Sequence, residues 1–124
     1  MFESVPAYAV AVLRDVDFGA DVVRYMREID ATLEPFGGEF IVHGGDLTAV
    51  EGDWAGDVVI IRFPDRAAAD GWYASPAYQR ILPLRTLHAA SDVAVVDGVA
   101  PGHTAAKRVE ELLGAGSGPV DPVH

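Results

Sequence analysis

Apolar positions along the chain repeat with two different periods. Residues 7–13 (AYAVAVL) form a continuous apolar run of strand length, and residues 57–63 (DVVIIRF) form a second, interrupted only by Arg62. Successive side chains of a strand point to opposite faces. Neither run has a polar face, so each predicts a central strand covered on both sides. Tyr8, Val10 and Val12 share one face of the first strand. Ala7, Ala9, Ala11 and Leu13 share the other, where the alanines let a helix approach closely. Between the two runs the period changes. Val22, Met26, Ile29, Leu33 and Phe36 are spaced four, three, four and three apart, the stripe of an amphipathic helix. Asp17 is its expected N-cap, and Gly37 or Gly38 its left-handed C-terminal residue. Residues 39–43 (EFIVH) predict a short strand with Phe40 and Val42 on one face and Glu39, Ile41 and His43 on the other. After the second central strand, Pro64 stops the strand and Asp65 caps a helix reaching about Tyr73. Ser75-Pro76 then starts a further helix carrying Tyr78, Ile81 and Leu82, which Pro83 is expected to interrupt. Residues 92–96 (DVAVV) are the last strand.

The order is β-α-β-β-α-β. Two right-handed crossovers joined by a hairpin give an α+β, ferredoxin-like fold, a four-stranded antiparallel sheet with helices on one face. The first and third strands take its centre. Helices then leave the other apolar face bare, which predicts a homodimer formed through the sheet faces, a dimeric α/β barrel. Residues 1–99 make up this domain and residues 100–124 a C-terminal extension. Within the extension, residues 104–113 predict a short helix, with Val109, Leu112 and Leu113 on one side, and residues 114–124 a flexible tail.

Composition narrows the partners. In 124 residues, 19 acids face 9 bases, a net charge of −10, and Lys107 is the only lysine. Such a chain repels phosphate backbones, so nucleic acid is not an expected partner. No apolar run reaches the roughly 18 residues of a membrane span, and no signal peptide is visible, so no membrane partner and a cytoplasmic location are expected. There is no cysteine, hence no disulfide or thiolate chemistry.

The segment from Pro6 to Val99 resembles the domain-of-unknown-function family numbered thirteen-thirty, within the dimeric α/β-barrel superfamily. The resemblance is carried by Gly37-Gly38, Gly44-Gly45, Glu51-Gly52-Asp53-Trp54, Phe63-Pro64, Trp72-Tyr73, Ser75-Pro76, Tyr78, Arg85 and Val96-Asp97-Gly98. It implies the ferredoxin-like fold and paired sheets. It brings no catalytic residues, because that family has no established activity.

Candidate chemistry therefore rests on single residues. His43 beside a glycine pair is a candidate general base. Arg62, a cation within an apolar strand, calls for an anion and is a cross-strand neighbour of His43 in one hairpin register. Arg85 with Tyr78 suits a small carboxylate, by a guanidinium fork and one hydroxyl donor. These four are the ligand-binding candidates. Glu51, Trp72, Tyr73 and His88 are secondary: a loop carboxylate, two adjacent aromatics pointing different ways, and a histidine suited to a metal or haem. No metal-ligand spacing, phosphate loop, nucleophile elbow or dinucleotide fingerprint is present, so neither metal nor cofactor is expected. The function expected is a small homodimer binding an acidic or aromatic small molecule in a cleft between sheet and helices, as a cofactor-free isomerase or oxygenase-like enzyme. The alternative is a non-catalytic dimeric module whose polar residues satisfy one another.

Overall fold

The structure, a computed structural model, describes residues 5–114. The two apolar runs become the inner strands of one sheet. Strand β1 (Ala7–Arg14) lies antiparallel beside β3 (Asp57–Phe63), with β2 (Glu39–His43) outside β3 and β4 (Ala90–Asp97) outside β1. Helices α1 (Ala20–Leu33), α2 (Arg66–Ala74) and α3 (Pro76–Thr86) connect them, and α4 (Ala105–Gly114) follows the last strand. A 3-10 turn, Glu34–Phe36, holds Pro35 and ends at Gly37, whose φ is 68°.

Register assigns the faces. Ala7 pairs with Phe63, Ala9 with Ile61 and Ala11 with Val59. This is the helix-covered side, where Ala7, Ala9, Ile61 and Phe63 are buried with Ile29, Leu33, Ala69 and Trp72. The alanines of β1 leave the space that Trp72 and Tyr78 fill. On the opposite side Tyr8 pairs with Arg62, Val10 with Ile60 and Val12 with Val58. Among the described residues no helix covers these apolar side chains, which are half-buried, and Val42 and Val96 beside them are exposed. Burying such a face is worth roughly 25 cal/mol per Å².

Three local expectations are corrected. A bulge between Phe40 and Val42 shifts the register of β2, so Phe40 pairs with Ile61 and His43 with Val59. Phe40 and His43 thus share the helix side, their rings stacked at 4.2 Å, while Val42 opposes Ile60 on the bare side. One extra residue reverses the alternation beyond it. Secondly, Gly19 and not Asp17 is the N-cap of α1. The Asp17 backbone is used across the loop, its N–H donating to the His88 carbonyl at 2.8 Å. Thirdly, α3 runs through Pro83 to Thr86. Proline removes one helical hydrogen bond, but Tyr78, Ile81 and Arg85 are all buried along one side of this helix, and that packing holds it together.

Asp65 and Ser75 cap α2 and α3, accepting hydrogen bonds from the backbone N–H of Ala68 and Tyr78. No residue of α4 is buried, and Val109, Leu112 and Leu113 are exposed. The tail expected over residues 114–124 lies, beyond Gly114, outside the described residues.

Gly56 precedes β3 at φ 131°, and a Cβ there would meet the Leu13 carbonyl oxygen and lie 2.9 Å from Arg14 Cγ. Gly56→Ala is expected to cost about 2 kcal/mol or more in urea unfolding. Gly45→Ala, with nothing within 4 Å of the new methyl, is expected to leave the midpoint within about 0.5 kcal/mol.

Candidate functional site

Tyr78, Ile81 and Arg85 recur three and four residues apart on α3, so one side of the helix carries all three inward. For isoleucine that is ordinary core packing. For arginine it buries a guanidinium, and Arg85 is only 6% exposed. Its Nη1 donates to Ser91 Oγ on β4, and its Cζ stands 5.7 Å from the centre of the Tyr25 ring. Among the described residues no carboxylate pairs with it. Burying an ion without a counter-ion costs several kcal/mol.

Helix α1 delivers Tyr25 to the same place. Its hydroxyl lies 2.7 Å from that of Tyr78, and the two rings meet edge to face. Trp72 fixes the third wall. Its Nε1 donates to Thr32 Oγ1 at 3.0 Å, and its ring lies 4.1 Å from that of Tyr78. Burial, and then the neighbouring Tyr78, push the Tyr25 phenol well above its ordinary pKa. Burial works to lower the Arg85 pKa, but Tyr78 and Tyr25 oppose it and the net direction is up. Tyr25 stays a neutral donor and Arg85 stays a cation.

These side chains line a cavity of about 460 Å³ between the helix side of the sheet and the helices, within the usual range for small-molecule sites. His43 and Asp57 line it from β2 and β3, and Val16 and Phe18 from the β1–α1 connection. The lining is largely apolar and aromatic, with one cation.

Of the four ligand-binding candidates, His43, Tyr78 and Arg85 line the cavity. Arg62 does not join them. Pairing with Tyr8 and Glu39 puts it on the bare side of the sheet, exposed. The bulge that turns His43 towards the helices separates it from Arg62, so the expected cross-strand pair is absent. Trp72 lines the cavity, whereas Tyr73 is more exposed and packs against the edge of the Trp72 ring. Glu51 is exposed in the β2–β3 loop, and its carbonyl accepts from Trp54 Nε1 at 3.0 Å. His88 Nε2 is hydrogen-bonded to Asp21 at 2.9 Å. That bond ties the α3–β4 connection to α1.

Tyr25 and Ser91 complete the site, and neither stood out in the sequence. Tyr25 lies three residues after Val22 and four before Ile29, so it fits the α1 stripe as well as Met26 does. A stripe allows either residue, and only packing against α3 selects the tyrosine.

A family model described as a domain of unknown function (DUF1330) matches residues 6–99. No curated protein matches the sequence. Among solved structures, the chain is similar to the RPA0582 protein of unknown function from Rhodopseudomonas palustris, with a TM-score of 0.60 and 19% identity, over 79% of this chain and 85% of that one. SnoaB, a cofactor-independent oxygenase from Streptomyces nogalater, is similar with a TM-score of 0.55 and 15% identity, over 82% of this chain and 100% of that one. A dimeric ferredoxin-like protein of unknown function from Thermobifida fusca has a TM-score of 0.52 and 16% identity, over 81% and 95%. At these identities the likeness establishes the ferredoxin-like fold.

The raised pKa of Tyr25 has a consequence for stability. Its folded-state value lies above the unfolded value of about 10, so its contribution is complete below that pH. It is lost as pH rises, because the unfolded chain ionises first. Between pH 10 and 11.5 the wild type is expected to lose stability more steeply than Tyr25→Phe, by up to about 1.4 kcal/mol per pH unit. Parallel curves from urea unfolding would contradict the burial of this phenol.

Proposed function

The chain belongs to the DUF1330 family, and from that starting point we propose that it is a homodimer that binds an acidic or aromatic small molecule in the cavity between sheet and helices. The observation that carries this reading is the Arg85 guanidinium, buried without a carboxylate partner among the described residues, in the wall of a cavity of about 460 Å³. An anionic ligand supplies the missing counter-charge. His43, which also lines the cavity, is the group available to move a proton in a cofactor-free isomerase or oxygenase-like reaction. The oxygenase version draws support from the similarity to SnoaB, at the level of fold. The alternative, a non-catalytic dimeric module, fits the peripheral polar groups better than the central ones. His88, Arg66 and Arg14 are each paired within the protein.

The homodimer is proposed from the bare side of the sheet. Tyr8, Val10, Val12, Val58 and Ile60 form a continuous apolar surface, and a second copy related by a two-fold axis covers it with an identical surface. The dimeric ferredoxin-like neighbour supports the arrangement. In the same reading, residues 1–99 are the folding unit, and residues 100–124 an extension whose helix turns Val109, Leu112 and Leu113 towards the partner.

Sedimentation at micromolar concentration is expected to show a dimer for the wild type and a monomer for Ile60→Asp. A monomeric wild type would remove the paired sheets. For the ligand, a thermal-shift panel of small carboxylates and aromatics is expected to yield compounds that raise the midpoint, since a ligand at 100 times its Kd adds about 2.7 kcal/mol. Arg85→Ala is expected to abolish the shifts given by carboxylates. Shifts that survive the substitution would take Arg85 out of the site.

A further inference from the structure

Counting protons at the centre of the cavity narrows the ligand further, on the footing of the binding function above. The Tyr25 and Tyr78 hydroxyls are 2.7 Å apart, with either able to donate. Two hydroxyls carry two protons, and the contact between them uses one. The second has no acceptor among the described residues. Arg85 adds to the excess. It carries five N–H donors, of which one meets Ser91 Oγ and others face the Tyr25 and Tyr78 hydroxyl oxygens, so seven donor protons meet three side-chain oxygens. No buried side-chain nitrogen or oxygen among the described residues lacks a partner. The guanidinium nitrogens that make no bond are therefore accessible, and Arg85 lines the cavity. Tyrosine and arginine side chains thus converge as donors with too few acceptors. A neutral amide would answer them poorly, because it brings donors of its own and no charge.

The charge count fixes the rest. Among the described residues Arg85 is the only lysine or arginine lining the cavity, and Asp57, exposed on β3, lines it with the opposite sign. One negative charge is matched by Arg85, whereas a second would be left facing Asp57. The walls are flat and aromatic, with Trp72 and Tyr78 at 4.1 Å on one side and the stacked Phe40 and His43 on another.

We propose that Arg85, Tyr25 and Tyr78 form an oxyanion site for an aromatic monocarboxylate, whose carboxylate accepts from the guanidinium and the free hydroxyl proton while its ring lies among the aromatic walls. The site selects against a neutral amide by its charge and against a phosphate monoester by its single cation. Tyr25 and Tyr78 act as a pair: one hydroxyl reaches the ligand and the other orients it.

The test uses the full chain and three probes of one shape: 1-naphthoate, 1-naphthamide and 1-naphthyl phosphate. Affinities are read from thermal midpoints and from quenching of tryptophan fluorescence. The expected result is that naphthoate binds about tenfold or more tightly than either of the others, the scale of a hydrogen bond to a charged group. Tyr25→Phe is expected to weaken naphthoate by a similar factor and to leave naphthamide unchanged. Tyr78→Phe is expected to do the same. Because Tyr78 is 2% exposed, Tyr25→Phe alone decides the matter should the Tyr78 variant fail to fold. Equal affinities for naphthoate and naphthamide would overturn the oxyanion site while leaving a ligand-binding cavity. Tighter binding of the phosphate would overturn the charge count. If none of the three binds, the oxyanion site falls, and the panel of other carboxylates and aromatics decides separately whether the cavity binds anything.

Discussion

A guanidinium taken out of water needs an answering charge, and the arrangement of this molecule's interior follows from how far that need is met. Arg85 sits where an apolar helix face would carry another leucine. It is held by Ser91 Oγ and by the face of the Tyr25 ring, contacts that orient the group without neutralising it. A cation over an aromatic face gains about 0.5–2 kcal/mol, less than the several kcal/mol of desolvation. Arg85 lines the cavity that the helices leave above the sheet, as Tyr25 and Tyr78 do.

The sheet explains why such a cavity exists in so small a chain. Alanine at positions 7, 9 and 11 lowers the floor beneath the helices, and Trp72 and Tyr78 fill part of the space released. The same sheet has a second apolar side with no helix on it among the described residues. The fold thus has two different apolar surfaces: one enclosed by its own helices around a polar centre, and one, where Arg62 is exposed, suited to a flat partner. In the proposed dimer the two uses are separate. Pairing the bare sides leaves the helix-side cavities open, one in each copy.

Strand and helix order was legible because it depends on local periodicity. The double-sided apolar runs at residues 7–13 and 57–63 required central strands, and they took those places. Asp65 and Ser75 announced helix starts through ordinary capping chemistry. Legibility failed where one residue changes a phase. The bulge in β2 reverses the faces of Val42 and His43, and nothing in EFIVH marks it. The pairing of His43 with Arg62 consequently failed, because the two lie on opposite sides of the sheet. Pro83 was overvalued as a helix breaker, since the buried stripe on both sides of it outweighs one missing hydrogen bond. In the site, Arg85 and Tyr78 could be paired from their chemistry, although Arg85 was expected beyond the end of the helix that in fact carries both. Tyr25 could not, because its role depends on how α1 meets α3, and a sequence pattern does not specify that crossing.

The central claim is that Arg85 is kept for a ligand and not for the fold, and it is tested most directly by the stability of Arg85→Met without any ligand. Methionine replaces the guanidinium with an apolar group of similar length. If the buried charge has no internal counter-ion, removing it relieves a desolvation cost, and urea unfolding should find the variant as stable as the wild type or more stable, by up to about 4 kcal/mol. A loss of about 3 kcal/mol or more, the scale of a broken buried ion pair, would show that the arginine is satisfied within the protein and would contradict the account.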